Sequence, residues 1–405
     1  MTGTLTRDGQ LGEPLLATSD ELVEFGRLAK ARGRFAIDTE FVGEGRYQAL
    51  LCLVQVAVYL DDAGADDLPW VLLVDPLDPH IDPAPLRAVL ADPAIEVILH
   101  AARQDVALLR RIWETDVTRV FDTQIAAAFA GLRAQIGYDA LLRALLGVKL
   151  RKSASFTKWD RRPLTAEQLS YAREDVLHLE AAAMQLQEQL LVRGRLQWAV
   201  QECEPLATSS DVRDIDQLFE RLPKIAGLDP VTRAVARELV SWREATARRH
   251  DRPAQQVLGD QALAELARRR PATLDALRQI RGLGESNGRK RGEQLVAAIA
   301  DGLKREPIPR RPIRQIDTRP EDVGVIALCE ALLRTRAAAA GLAYELLATR
   351  NELQLLVSGA RVGVEHDEVR VLAGWRRELV GDELLALLRG EHTLKVGPDG
   401  TVEIA

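Results

Sequence analysis

The chain is poor in the residues that carry redox, zinc and membrane chemistry. It has 405 residues but only three cysteines, two methionines and 4% aromatics. Cys52, Cys203 and Cys329 are far apart and form no CxxC pair, which argues against a disulfide framework and a zinc site. No window approaches the run of about 18 uncharged apolar residues that spans a bilayer. The first ten residues lack the apolar stretch of a secretory signal. No GxxxxGK(S/T) loop is present to cradle a nucleoside triphosphate. These absences lead to the expectation of a cytoplasmic protein without a membrane partner.

What is present fits a large soluble protein. Its hydrophobic share of 47% is ordinary, and the length calls for two or three domains. The net charge of −6 is unevenly spread: residues 231–314 hold 19 Lys/Arg against 10 Asp/Glu, so the remainder carries −15. A basic segment beside an acidic one suits a polyanion contact next to a metal-binding site. A solvated Arg-rich helical surface would give the same count.

Residues 1–17 read as a disordered leader. Thr18-Ser-Asp-Glu21 is a capping box opening a helix to about Arg32. Strands are expected at 35–41, 50–59 and 70–74, then a short helix at 84–91 and a strand at 96–100 that turns at once into a helix over 101–113. A short edge strand at 120–122 precedes helices at 123–131 and 138–146, and a capping box at Thr165 to Gln168 opens a single helix to about Val192. Residues 205–214 read as a linker. Beyond them helices are expected from Leu239, from Asp260, after Thr273 and from Gly288, the last behind a tight Gly282-Leu-Gly284 turn. The Pro-rich stretch 304–314 reads as a stiffer linker, followed by more helix, an extended piece at 369–373 and a final hairpin.

The chemistry lies in four acids. Asp38 and Glu40 are two apart on a strand and so share a face. Asp105 follows a strand-to-helix switch, where α/β proteins build sites, and Asp175 lies one helical turn after Tyr171. Each feature alone is equally a solvated acid or a packed tyrosine. Together they form an oxygen-only set suited to Mg²⁺ or Mn²⁺ and to phosphodiester hydrolysis with two ions. Of the six histidines, His80, His178, His250 and His366 are scattered, and His100 alone lies near this set.

The motifs Phe35-Ala-Ile-Asp-Thr-Glu-Phe-Val, Leu99-His-Ala-Ala-Arg-Gln-Asp105-Val, Val120-Phe-Asp-Thr-Gln-Ile-Ala and Tyr171-Ala-Arg-Glu-Asp175-Val resemble ribonuclease D, a DEDD 3′–5′ exonuclease family with Tyr in the third motif. Gly147-Val-Lys-Leu, Lys152-Ser and Trp159 also fit the family pattern. Residues near 215–305 are similar to the HRDC module, and Gly374-Trp-Arg-Arg-Glu-Leu-Val-Gly381 to a second, divergent HRDC-like domain. The resemblance implies an α/β, ribonuclease H-like mixed-sheet exonuclease domain at 18–204. Two all-α HRDC-type domains would follow at 212–304 and 315–405.

It also implies the roles. Asp38, Glu40 and Asp175 would hold one metal, and Asp38 would bridge to a second supported by Asp105. Tyr171 would orient the attacking water. Thr39, Phe41, His100 and Gln104 would touch the terminal nucleotide. The expected partner is RNA with a free 3′ end, structured and tRNA-like, and the expected state is a monomer. Two alternatives stand beside this reading: a DNA 3′–5′ exonuclease acting in repair, and a non-catalytic nucleic-acid-binding adaptor. Few aromatics argue against extensive base stacking by the helical domains.

Overall fold

The computed structural model describes residues 16–60, 68–150, 158–280, 283, 285–310, 319–364 and 368–405. The leader up to residue 15, Lys152-Ser, Gly282 and Gly284, Pro312 and His366 lie outside the described residues.

The first body is built on a five-stranded mixed sheet. In chain order come α1 (Ser19–Arg32), β1 (Arg34–Val42), β2 (Leu50–Val58), β3 (Trp70–Val74), α2 (Ala84–Leu90), β4 (Glu96–Leu99), α3 (Arg103–Ile112) and β5 (Val120–Asp122). They are followed by α4 (Thr123–Phe129), α5 (Tyr138–Leu146), α6 (Ala166–Leu177), α7 (Leu179–Val192) and α8 (Leu196–Cys203). The strand order is β3-β2-β1-β4-β5, with β1–β2 and β2–β3 antiparallel and β1–β4 and β4–β5 parallel. The run of β2, apolar except for Gln55, fits its place between two strands, buried on both faces. Phe35 and Ile37 join Leu22 and Phe25 of α1 and Val106 and Leu109 of α3 on one face. Ala36 and Ala57 face α4 and α7 on the other.

The helix expected to run unbroken to Val192 is divided at His178, whose φ of −113° and ψ of 4° leave the helical region between α6 and α7. Leu16 and Ala17, expected in the leader, extend the sheet edge: Leu16 bridges to Leu73, and the Ala17 amide donates to the Leu73 carbonyl at 2.8 Å. Residues 205–214 are no free linker either. A 3₁₀ turn at Glu204–Thr208 buries Leu206 in the core of the first body, Arg110 donates to the Ser209 carbonyl, and Arg111 clasps Asp211 at 2.8 Å.

The second body comprises α9 (Ile215–Glu220), α10 (Pro230–Arg249), α11 (Ala254–Val257), α12 (Asp260–Arg269), α13 (Leu274–Arg278) and α14 (Glu285–Lys304). Here α10 starts nine residues before the expected Leu239, because Asp229 caps it and Pro230 fits its first turn. This body has a core of its own around Leu239, Leu263 and Leu295. It meets the first through the β1–β2 loop, where Tyr47 is buried with Ala247, Ala254 and Val257. The Arg213 and Arg248 guanidinium groups lie 4.9 and 5.6 Å from the Tyr47 ring centre.

The third body comprises α15 (Asp322–Ala340), α16 (Arg350–Val362), α17 (Gly374–Arg376), a π turn at Arg377–Gly381 and α18 (Asp382–Leu388). It ends in a hairpin of β6 (Leu394–Val396) and β7 (Val402–Ile404), so it is not purely helical. The extended piece expected at 369–373 contains a 3₁₀ turn at Arg370–Leu372. Its core is continuous with that of the first body. The ring of Trp375 stacks on Trp198 at 5.0 Å and meets Phe129 edge-on at 5.1 Å. Arg376, 6% exposed, pairs with Glu202 at 2.5 Å. Gly381 is required beneath this plug, since a Cβ there would lie 2.2 Å from the Val371 carbonyl oxygen.

Candidate active site

The acids gather at the carboxyl ends of the parallel strands, where an α/β sheet leaves a crevice. Asp38 and Glu40 come from β1, Asp105 from the first turn of α3, and Asp175 and Tyr171 from α6, which crosses the ends of β1, β2 and β3. A register shift between Glu40 and Phe41 marks a bulge beside the acids, and such bulges re-aim side chains.

The β4–α3 turn is held by Asp122, a residue to which the sequence reading assigned no role. Its carboxylate accepts the amides of Ala101 (3.1 Å) and Ala102 (2.9 Å) on one side and of Gln124 (2.8 Å), inside α4, on the other. Ala101 takes a left-handed φ of 59°, costly for a residue with a Cβ, and the Asp122 contacts hold it there. The turn sets the start of α3 and so the place of Asp105. An Asp-Thr pair between a strand and a helix is a capping signal that could have revealed it.

Each acid is pushed toward its neutral form. Burial, then Asp105 and Asp175 nearby, holds the Asp38 carboxyl well above the usual carboxylate range. Burial, then Asp38 and Asp105, raises Glu40 to about 8. Burial raises Asp105 to about 6, although the Thr39 hydroxyl donates to it at 2.5 Å. Burial, then Glu40 and Glu174, raises Asp175 to about 8, with the Tyr171 hydroxyl acting in the opposite direction. Among the described residues none of the four acids has an ion-pair partner. Burial and the acids around it raise the Tyr171 phenol as well, so it keeps its proton and donates to Asp175. Its ring lies 6.2 Å from that of Trp159, on a segment fastened by Arg162, which bonds Asp75 and the Cys52 carbonyl.

The other expected residues fall into two groups. The Thr39 hydroxyl is spent on Asp105, and His100 is held at both ring nitrogens, by the Thr123 hydroxyl at 2.9 Å and the Ile136 carbonyl at 3.0 Å. Only the His100 ring face is left for a ligand. Phe41 is half-buried against the first-face core, and Gln104 is exposed on the first turn of α3. Two further residues come with the site. Tyr138 packs on His100 at 5.6 Å, and burial, then the charges of Asp175 and Asp38, hold its phenol well above the usual range, with a His178 backbone contact acting in the opposite direction. Gln55 lies directly across from Asp38 on β2. No sequence signal marked Tyr138, whereas Gln55 is the one amide in the nine-residue apolar strand β2.

Hard oxygen donors without a cation partner suit a divalent ion, which removes the repulsion that raises these carboxyls. Among the described residues, no three His, Cys, Asp or Glu side chains are already drawn together closely enough to hold one. The acids are within electrostatic reach of one another.

Comparison with known proteins agrees with this geometry. Residues 15–191 match the family model described as 3′–5′ exonuclease, a divalent-metal-dependent class, and residues 232–299 match the HRDC domain. The chain is 35% identical to ribonuclease D of Gluconacetobacter diazotrophicus over 98% of both chains. It is 35% identical to ribonuclease D of Granulibacter bethesdensis over 95% of this chain and 94% of that one. The crystal structure of Escherichia coli RNase D, an exoribonuclease involved in structured RNA processing, superposes with a TM-score of 0.78 at 27% identity, covering 94% of this chain and 99% of that one. The chain belongs to the ribonuclease D family of hydrolytic 3′–5′ exoribonucleases.

Proposed function

We propose that this chain trims the 3′ ends of structured, tRNA-like RNA as a cytoplasmic monomer, using two divalent ions, Mg²⁺ or Mn²⁺. The observation that carries the reading is the convergence of four carboxyls from β1, α3 and α6 that have no ion-pair partner among the described residues, each held above its ordinary range. Asp38, Glu40 and Asp175 would hold one ion, and Asp38 with Asp105 the other. When bound, such ions lower the pKa of a water and offset charge on the phosphate. Tyr171 stays protonated, so it positions the attacking water and is not the base that deprotonates it. Thr39 fixes Asp105, and the ring face of His100, with Phe41 and Gln104, is left to meet the terminal nucleotide.

The proposed division of the chain is a nuclease over 18–204, an HRDC domain over 212–304 and a second HRDC-like domain over 315–405. The two C-terminal parts would contact the RNA backbone beyond the site, as the excess of Lys/Arg over 231–314 suggests. Three buried free cysteines fit a reducing compartment, and no helix among the described residues is long and apolar enough to cross a membrane.

The test is a time course on 3′-tailed RNA and sequence-matched DNA with Mg²⁺, Mn²⁺ or EDTA. Metal-dependent release of 5′-mononucleotides from RNA is expected. Equal or faster attack on DNA would refute the RNA assignment, and binding without hydrolysis of either polymer would refute catalysis.

A further inference from the structure

Beneath the acids lies a polar side chain with nothing to bind. Gln55 is 0% exposed, and neither its Nε2 nor its Oε1 has a hydrogen-bond partner among the described residues. Buried amides are nearly always paired, and an unpaired one destabilises the fold it sits in. β2 would be simpler without it, since the strand is otherwise apolar from Leu50 to Val58.

Register says what it faces. Gln55 pairs with Asp38 of β1 on one side and Leu73 of β3 on the other, and Leu53 and Ala57 flank it on its own strand face. Asp38 is the polar group directly opposite it, and Glu40, which pairs with Leu53, is its diagonal neighbour on the same face of β1. Side chains directly opposite in an antiparallel pair point to the same face with Cβ atoms about 4.5–5.5 Å apart, within the reach of a glutamine amide. Full burial keeps Gln55 from touching RNA or solvent.

We propose that Gln55 is a positioning residue for the metal site, its amide donating to the Asp38 carboxylate when that carboxylate ligates a divalent ion. The proposal rests on the reading of Asp38 as a metal ligand. A carboxylate accepting from an amide makes a charge-assisted bond, stronger than one between neutral groups. Partners behind a ligating carboxylate fix its orientation, and their loss typically weakens metal binding about 10- to 100-fold. Gln55 would then be a liability to the metal-free fold and an asset to the metal-bound one.

That opposition separates positioning from packing. The full-length protein, stripped with EDTA and dialysed, is titrated with Mn²⁺ while free Mn²⁺ is followed by electron paramagnetic resonance. Melting is recorded in EDTA and in Mn²⁺. Gln55→Leu and Gln55→Met are expected to melt in EDTA at or above the wild-type temperature, to bind Mn²⁺ about 10- to 100-fold more weakly, and to lose much of the metal-induced rise in melting. Unchanged Mn²⁺ affinity in both variants overturns the proposal, whether or not their melting falls. Failure of both to fold also overturns it, since removing an unpaired amide should not harm the metal-free state. Asp38→Asn is the control for the underlying reading. If it leaves Mn²⁺ binding intact, the metal-site assignment fails first. If it abolishes binding while the Gln55 variants bind normally, only the role of Gln55 fails.

Discussion

Two regions of this molecule bury carboxylates, and they treat them in opposite ways. In the C-terminal body burial alone would raise Glu352, yet the Arg370 guanidinium and the Thr349 amide and hydroxyl pull it down to about 2. Glu202 is likewise held below its usual range against burial, by Arg376 and by Trp375 of the docking plug. At the nuclease site burial acts with the same sign, but the neighbours are other acids, and Glu40 and Asp175 rise to about 8. An acid given its arginine holds the fold together. A set of acids denied one strains the fold and is ready for a cation from outside.

The sharpest way to break this comparison is at Asp38. Asp38→Asn should lower the metal-dependent turnover by about 10³-fold or more, since ions at such a site supply several kcal/mol to the transition state. The same change should raise melting in EDTA at pH 8. The sign follows from linkage: acids held above their unfolded values make the native state bind more protons, so metal-free stability falls as pH rises from about 4 to about 8. A variant that melts lower at pH 8 would sink the idea of stored repulsion.

Next in size is the docking plug. Trp375→Ala removes an indole packed between Trp198 and Phe129 and should cost about 3–5 kcal/mol in urea unfolding. Because the two bodies share a core, the loss should appear in one transition for both. Separate transitions would show that the bodies unfold independently.

Glu352→Gln should cost about 2 kcal/mol at pH 7, less than its full shift implies because Arg370 is half exposed. Here the native pKa is depressed, so the contribution is present above about 4.5 and fades as pH falls toward 2. Urea midpoints of wild type and variant should converge near pH 2, and a gap that stays constant would rule out the ion pair as the cause.

The smallest effect belongs to the exposed pair Arg46–Asp251 at the joint with the HRDC body. Arg46→Ala should change stability by about 0.5 kcal/mol or less, and less still in high salt. A loss several times larger would mean that this joint depends on charge more than on the buried Tyr47 ring.

Much of the candidate site could be read from the chain because its parts are local. Asp38 and Glu40 share a strand face by alternation, and Tyr171 and Asp175 share a helix face by one turn. The bonded residues His100 and Thr39 were harder to assign. Their neighbourhood was evident, but their hydrogen bonds run to Thr123, Ile136 and Asp105, partners between 23 and 66 residues away. The break at His178 has no local breaker to mark it, and the polar, Pro-initiated stretch 205–214 has a linker's composition, while its docking depends on the distant Arg110 and Arg111.

The sequence by itself determined the order of the strands along the chain, the four acids with their tyrosine, and the basic excess of residues 231–314. These are properties of short-range spacing and of composition. Only the tertiary structure decided that the acids converge with no ion-pair partner among the described residues, that Asp122 holds the turn bearing Asp105, and that Gln55 lies opposite Asp38. It also decided that one helical body keeps its own core while the other fuses with the nuclease through Trp375. Each of these depends on sheet register and on contacts between distant segments, and they follow from which surfaces the folded chain buries together.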